Sequence, residues 1–404
     1  MPQGGASNES PAAGTRLTMP RHRLIRPVMR TAAMSLVAAM LLGCAPGNSQ
    51  VAAGASDYQS LLAAYLAVRQ PYEQQAQAYW DAVSAKRRIR NAKRRAHQQV
   101  TLDDYVLEQP PVYTGPPRPR DPNAPPGPLP GERPPIPVIA DFIRNADQKF
   151  GFMPDRPRSE IEFKRAYARA AAAAGLTRDQ IVGVYAFETG GNGTYDTQAG
   201  VSAKRPTAIS PAVGYNQLLS TNSVAMLAEH SGHILGVLRA KEQTLRGEVK
   251  REMASKIDAV KRMIAYARSV PQRWSDYDKL AKKTAGGIGI HAIVLDKDIG
   301  PVVQVQKLLN SVKFARMKGY DRPLAAPELE LMNLTGDSTG LDMVMMPDEY
   351  RARVPTANFF QQIGYARNPV ARRTGVVANL IADIDGKMNR AAQNQGAREL
   401  AAAF

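Results

Sequence analysis

From Asp57 to about Gln99, apolar and aromatic residues return about once per helical turn: Tyr58, Leu61, Leu62, Tyr65, Leu66, Tyr72, Tyr79, Trp80 and Val83. This period predicts one helix, or two broken near Pro71, where a proline removes a backbone donor and crowds the preceding turn. Prolines then crowd residues 110–137, a density that excludes helix and central strand. The stretch reads as an extended spacer, with a Pro-rich ligand for a partner module as the alternative. Beyond it the spacing predicts helices over Val138–Gln148, Arg158–Ala174, Thr177–Glu188, Pro211–His230, His233–Ser269, Ile299–Lys313, Ala357–Gln362 and Thr374–Asn394. Few alternating β-branched runs compete with them, so the expected class is all-α. Within a charged insertion around 239–285, Leu245, Val249, Met253, Ile257, Val260 and Ile264 recur by about a turn. They predict an amphipathic helix that projects from the body.

The front of the chain sets the compartment. Arg21, Arg23, Arg26 and Arg30 precede an apolar stretch from Thr31 to Gly43, followed by Cys44, the only cysteine among 404 residues. The stretch is too short for a permanent membrane helix and reads as an export signal over 1–43. Residues 1–18 have no role in such a signal, which makes Met19 an alternative start. Leu41-Leu42-Gly43-Cys44 resembles a bacterial lipobox, and that resemblance implies diacylation of Cys44 with cleavage just before it. Because Ala45 rather than Asp follows, it also implies the outer membrane, facing the periplasm. The mature chain then keeps no free thiol for disulfides or thiolate metal sites.

Residues 44–56 are small and polar, as a flexible tether requires. A basic helical arm over 57–108 and the spacer over 109–137 lead to the main domain, 138–404. The formal charge of +17 would suggest nucleic acid in a cytoplasmic protein. In an exported one it points to anionic envelope partners, so no nucleic acid is expected. The densest basic run, Lys86 to Arg95, is either a solvated helix face or a docking patch for envelope surfaces. The arm's aromatic residues suggest packing on the body or on an envelope protein partner. His230 and His233 lie one turn apart without further ligands in pattern, so no metal is expected. No cofactor is expected either, since Gly286-Gly287-Ile288-Gly289-Ile290 has no basic residue placed to hold a phosphate.

The chemistry gathers at residues 177–219. Thr177 and Gln180 form a capping box that starts a helix and fixes its phase, so Ile181, Val184, Tyr185 and Glu188 fall on one face. Glu188 therefore sits at the helix end on the apolar side, where burial and the negative end of the dipole both raise its pKa. A raised pKa suits a general acid. Thr189-Gly190-Gly191-Asn192-Gly193 follows, clearing side chains from beside the carboxyl. Ser210-Pro211 supplies an N-cap and first residue for the next helix, ahead of Gly214-Tyr215-Asn216-Gln217.

Glu188-Thr189, Gly214-Tyr215-Asn216-Gln217 and the spacing between them resemble the lysozyme-like lytic transglycosylases, which cut the glycan strands of peptidoglycan. The resemblance covers about residues 160–225 and implies a lysozyme-like catalytic domain. It implies Glu188 as the catalytic acid and then base, with Thr189, Gly214, Tyr215 and Gln217 in substrate binding. The family's third, Tyr-containing motif is matched loosely by Gly364-Tyr365-Ala366-Arg367-Asn368, with Tyr266 as the rival; Tyr365 is preferred because Tyr266 ends the charged helix. The implied reaction is a lyase cleavage between MurNAc and GlcNAc that leaves a 1,6-anhydro end. Two alternatives stand beside it: a hydrolytic muramidase using Glu188 and Asp196, which needs two carboxylates, and a non-catalytic wall-binding lipoprotein.

Overall fold

The computed structural model describes residues 49–124, 135–202 and 204–404. The export signal, Cys44 and residues 125–134 of the Pro-rich stretch lie outside the described residues. Helix follows helix: α1 (Ser49–Arg95), α2 (Ile139–Phe150), α3 (Glu160–Ala173), α4 (Arg178–Thr189), α5 (Ser220–Thr244), α6 (Gly247–Ala267), α7 (Trp274–Lys283) and α8 (Ala285–Ile290). They are succeeded by α9 (Gly300–Met317), α10 (Ala326–Thr335), α11 (Asp337–Val344), α12 (Asp348–Arg351), α13 (Gln362–Ala366), α14 (Pro369–Thr374), α15 (Val377–Ala391) and α16 (Gln395–Ala401). Among the described residues, β-structure is limited to isolated bridges such as Gln198–Val213 and Val213–Leu218. The class is all-α, and no described helix is long and apolar enough to cross a membrane.

Two apolar cores share one spine. Val302 and Val303 at the start of α9 join a core built with α2 and α5 to α8. Val305, Leu308 and Ala315 further along the same helix join a second core with α3, α4, α10, α11, α15 and α16. A helix apolar on more than one side is placed between two layers, and α9 is such a helix.

Three expectations change here. The helix expected from His233 to Ser269 is broken at Leu245 and Arg246, and α5 kinks at His230 (φ −118°, ψ 17°). The charged α6 does not project: Met253, Ile257, Val260, Met263 and Ile264 are all buried in the first core, and most of its charges line the outer face, Lys256 excepted. Residues 211–219 are not helical, because Val213 bridges both Gln198 and Leu218 and so closes a tight loop before α5 begins.

The arm is one helix that runs through Pro71 and docks on the body. Arg87 donates to the carbonyls of Asn358 (3.0 Å) and Phe360 (2.7 Å). The buried Arg90 donates to those of Asp104 (2.8 Å) and Asn358 (3.0 Å). Arg94 pairs with Asp342 at 2.8 Å. With Lys86 donating to Asp103 O and Lys93 paired with Asp104, five of the seven basic residues of the run are spent on the protein itself, leaving Arg88 and Arg95 exposed. The side-chain amide of Asn358 clamps the following segment, accepting from Val106 N (2.9 Å) and donating to Val106 O (2.7 Å).

Candidate active site

The capping box of α4 forms as its sequence requires: Gln180 N donates to Thr177 Oγ1 (3.2 Å) and Thr177 N to Gln180 Oε1 (2.9 Å). Ile181, Val184 and Tyr185 are fully buried on the face this phase selects, and Glu188 follows one turn later with part of its surface still open. Gly190 ends the helix in the left-handed region (φ 65°). Gly191 has φ 76°, and a side chain there would overlap the carbonyl oxygen of Ala391. The loop beyond Glu188 is held by the C-terminus of the chain: Asn394 Nδ2 donates to Gly190 O (2.7 Å) and Ala397 N to Gly191 O (2.8 Å). The glycines therefore serve this packing as well as any clearance beside the carboxyl.

The partners of Glu188 come from α10. Asn333 Nδ2 donates to Glu188 Oε1 at 2.9 Å across 145 positions of sequence. One turn earlier on the same helix, Glu330 is completely buried, and neither of its carboxyl oxygens meets a backbone or side-chain N–H or O–H donor. Its partner is the Glu188 carboxyl. Burial pushes the pKa of Glu188 up to about 7, against the opposing pull of hydrogen bonds with Glu330 and Asn333 and of the Lys307 charge. Burial first, and then the charge of Glu188, hold Glu330 well above the usual carboxyl range. Two carboxyls in contact cannot both ionise cheaply, so the pair retains a proton at neutral pH.

The second segment lies beside the loop that follows Glu188. Gly214 N donates to Thr197 O (3.0 Å), and Gln217 Nε2 donates to Thr197 O (3.1 Å) and Gly214 O (2.9 Å). Gly214 has φ 87°, and a Cβ there would come within 2.8 Å of Gln304 Oε1; its missing side chain makes room for that glutamine. Gln217 has φ 42°, a conformation costing about 1 kcal/mol or more in a non-glycine residue, of the kind that gathers at functional sites. Tyr215 is fully buried, edge-on to Tyr185 with ring centres 4.8 Å apart, and donates to Glu160. It is a core residue rather than a groove contact. Thr189 turns its hydroxyl back to Tyr185 O (2.6 Å). Buried His291 ties the segment from behind, with Nε2 2.9 Å from Pro211 O and Nδ1 2.8 Å from Ser223 Oγ. Burial lowers its pKa to about 4, which keeps it neutral.

Neither tyrosine expected for the third motif is brought to Glu188. Tyr365 packs on Trp80 of the arm (ring centres 5.6 Å apart), and Tyr266 on Phe150 (5.6 Å) in the core around α6. The residues that meet Glu188 come instead from α10, a helix that the spacing did not predict. Asp196 lies in an ion pair with Arg156 and accepts from Thr194 Oγ1 (2.7 Å), the turn-stabilising role common for loop aspartates. Cavities of about 120 Å³ and 360 Å³ open elsewhere, at Thr177 with Tyr320 and at Met346 with Arg351, and Glu188 lines neither. Among the described residues no group of three or more His, Cys, Asp or Glu is arranged to hold a metal ion. No protein-family model, curated protein or solved structure matches this chain.

Proposed function

We propose that the protein is a peptidoglycan lytic transglycosylase with a lysozyme-like catalytic domain, in which Glu188 acts first as acid and then as base. The observation that carries this reading is a part-exposed carboxyl at the end of α4, its pKa raised by burial to about 7 and its Oε1 held by Asn333. Protonated Glu188 donates to the glycosidic oxygen between MurNAc and GlcNAc as the C1–O bond breaks and an oxocarbenium-like state develops. The carboxylate so formed takes the proton of the C6 hydroxyl of the same MurNAc while O6 bonds to C1. Glu188 ends as it began, and no water is consumed. Closure from within one ring has the high effective concentration of an intramolecular attack. Gln217 is the residue of the second segment assigned to the sugar, being part-exposed and strained.

The muramidase reading loses support from both directions. Hydrolysis needs carboxyls roughly 5–9.5 Å apart, flanking the bond. Asp196 is engaged by Arg156, and Glu330 touches Glu188 rather than facing it across a groove. The lipid anchor at Cys44, the outer-membrane location facing the periplasm and an envelope partner for the arm belong to the same reading. Mass spectrometry of muropeptides released from sacculi by the tether-free protein tests it. Anhydro ends that vanish in Glu188→Gln are expected; reducing ends would mean a hydrolase. Sacculus binding without release would mean a wall-binding lipoprotein.

A further inference from the structure

Glu330 stands out among the buried groups because, with the nearby amide of Asn333 bonded to Glu188, neither of its oxygens has a donor in hydrogen-bond geometry. It is fully buried, both oxygens lack an N–H or O–H partner, and it lies against the carboxyl of Glu188. A buried carboxylate without donors is costly, whereas a carboxylic acid that gives its own proton to a neighbouring carboxylate satisfies both groups at once. The residues around the pair fit one shared negative charge. Lys307 of α9 is the cation acting on both carboxyls, and it lies 3.8 Å from Asp337 of α11. Several other charged groups on the packed helices form ion pairs of their own: Lys164 of α3 with Glu399 of α16, Asp342 of α11 with Arg94, and Asp383 with Lys387 on α15. From α3, Glu160 accepts from Tyr215, and Tyr167 donates to Asn216 (2.5 Å).

We infer that Glu330 is a positioning residue for Glu188: it stays protonated throughout the cycle and donates a hydrogen bond to the Glu188 carboxylate in the half-reaction where Glu188 acts as base. This rests on the transglycosylase reading and deepens it. In the first half-reaction the proton that leaves belongs to Glu188, and Glu330 keeps its own. In the second, the C6 hydroxyl proton returns to Glu188, and the hydrogen bond from Glu330 orients the receiving carboxylate. Asn333 supplies a second fixed donor, so the base is held from two positions one turn apart on α10.

The test compares Glu330→Gln, which keeps a donor in the same shape, with Glu330→Leu, which removes it. Release of anhydro-muropeptides is followed from pH 4 to 9. Glu330→Gln is expected to stay within about threefold of the parent, and Glu330→Leu to fall by roughly 100-fold with its alkaline limb moved upward by about one pH unit. Loss of activity in Glu330→Gln as deep as in Glu188→Gln would overturn the inference, because Glu330 would then be transferring a proton. Identical pH profiles in all three proteins would overturn it too, leaving a packing role. A readout that needs no substrate separates this inference from the reading beneath it. Carbon-13 NMR of the glutamate carboxyls is expected to show two of them titrating together far above the rest, and ordinary titration of every glutamate would sink the shared proton. Coupled titration in a protein that releases no anhydro ends would remove the transglycosylase and leave the pair standing.

Discussion

Two fully buried carboxyls, Asp296 and Glu330, sit in opposite surroundings. Asp296 accepts from Asp155 N (2.9 Å), Asp298 N (2.9 Å) and Ile299 N (3.1 Å), and pairs with Lys256 at 3.0 Å. Neither oxygen of Glu330 has an N–H or O–H donor in hydrogen-bond geometry, and its partner is the neighbouring carboxyl of Glu188. The donors of Asp296 come largely from its own turn at the start of α9, so the aspartate ties the loop down. Glu330 gains no such compensation, and the fold tolerates it beside the carboxyl proposed to carry the chemistry. Burial raises the pKa of both acids, but only Asp296 has backbone donors to offset it, and under the proposed function Glu330 is the acid kept for its proton.

Glu188→Gln gives the largest expected effect, a loss of roughly 10³-fold in anhydro-muropeptide release with the fold intact; retention of most activity would erase the contrast. Next comes the structural acid. Lys256→Met leaves Asp296 without its lysine and is expected to cost about 3–5 kcal/mol in denaturant unfolding, the usual penalty for breaking a buried pair. A loss under about 1 kcal/mol would mean that the backbone donors alone suffice.

The pH dependence of stability sharpens the same comparison. The folded pKa of Glu188 is raised from 4.5 to about 7, so the folded state binds the extra proton. Its contribution is fully present below about pH 4.5 and is lost as the pH rises through about 7, at most roughly 3 kcal/mol in all. The melting temperature of the parent relative to Glu188→Gln should therefore fall between pH 5 and pH 8, and a constant difference would contradict the raised pKa. Asp196→Asn and Tyr365→Phe should change least. The ion pair of Asp196 is part-exposed and worth about 1 kcal/mol or less, and Tyr365 packs against the arm, so release should stay within about twofold of the parent.

Much of the site's first half was legible. The Thr177–Gln180 box and the i, i+3, i+4, i+7 spacing to Glu188 are local relations, and the helix formed with that phase and with the carboxyl at its end. Its second half was not. Glu330-Leu331-Met332-Asn333 lies in an apolar helix without a tyrosine, whereas the family pattern pointed to an aromatic third motif at Tyr365. The signal that could have found it was an acid and an amide three positions apart on the face of a helix too apolar to expose them. The charged α6 failed for a related reason: charge density suggested projection, while burial follows the apolar stripe whatever covers the opposite face.

The sequence by itself determined the helical class, the phase of α4 and the reason a carboxyl at its end would hold its proton. Those depend on hydrogen bonds and side chains within a turn or two of each other. Only the tertiary structure decided that the basic arm folds back onto Asn358, that His291 braces the loop before α5, and that Glu330 and Asn333 meet Glu188. Helical periodicity states which residues share a face but carries no information on which two faces meet across 145 positions of chain. That choice is made by the packing of the whole core.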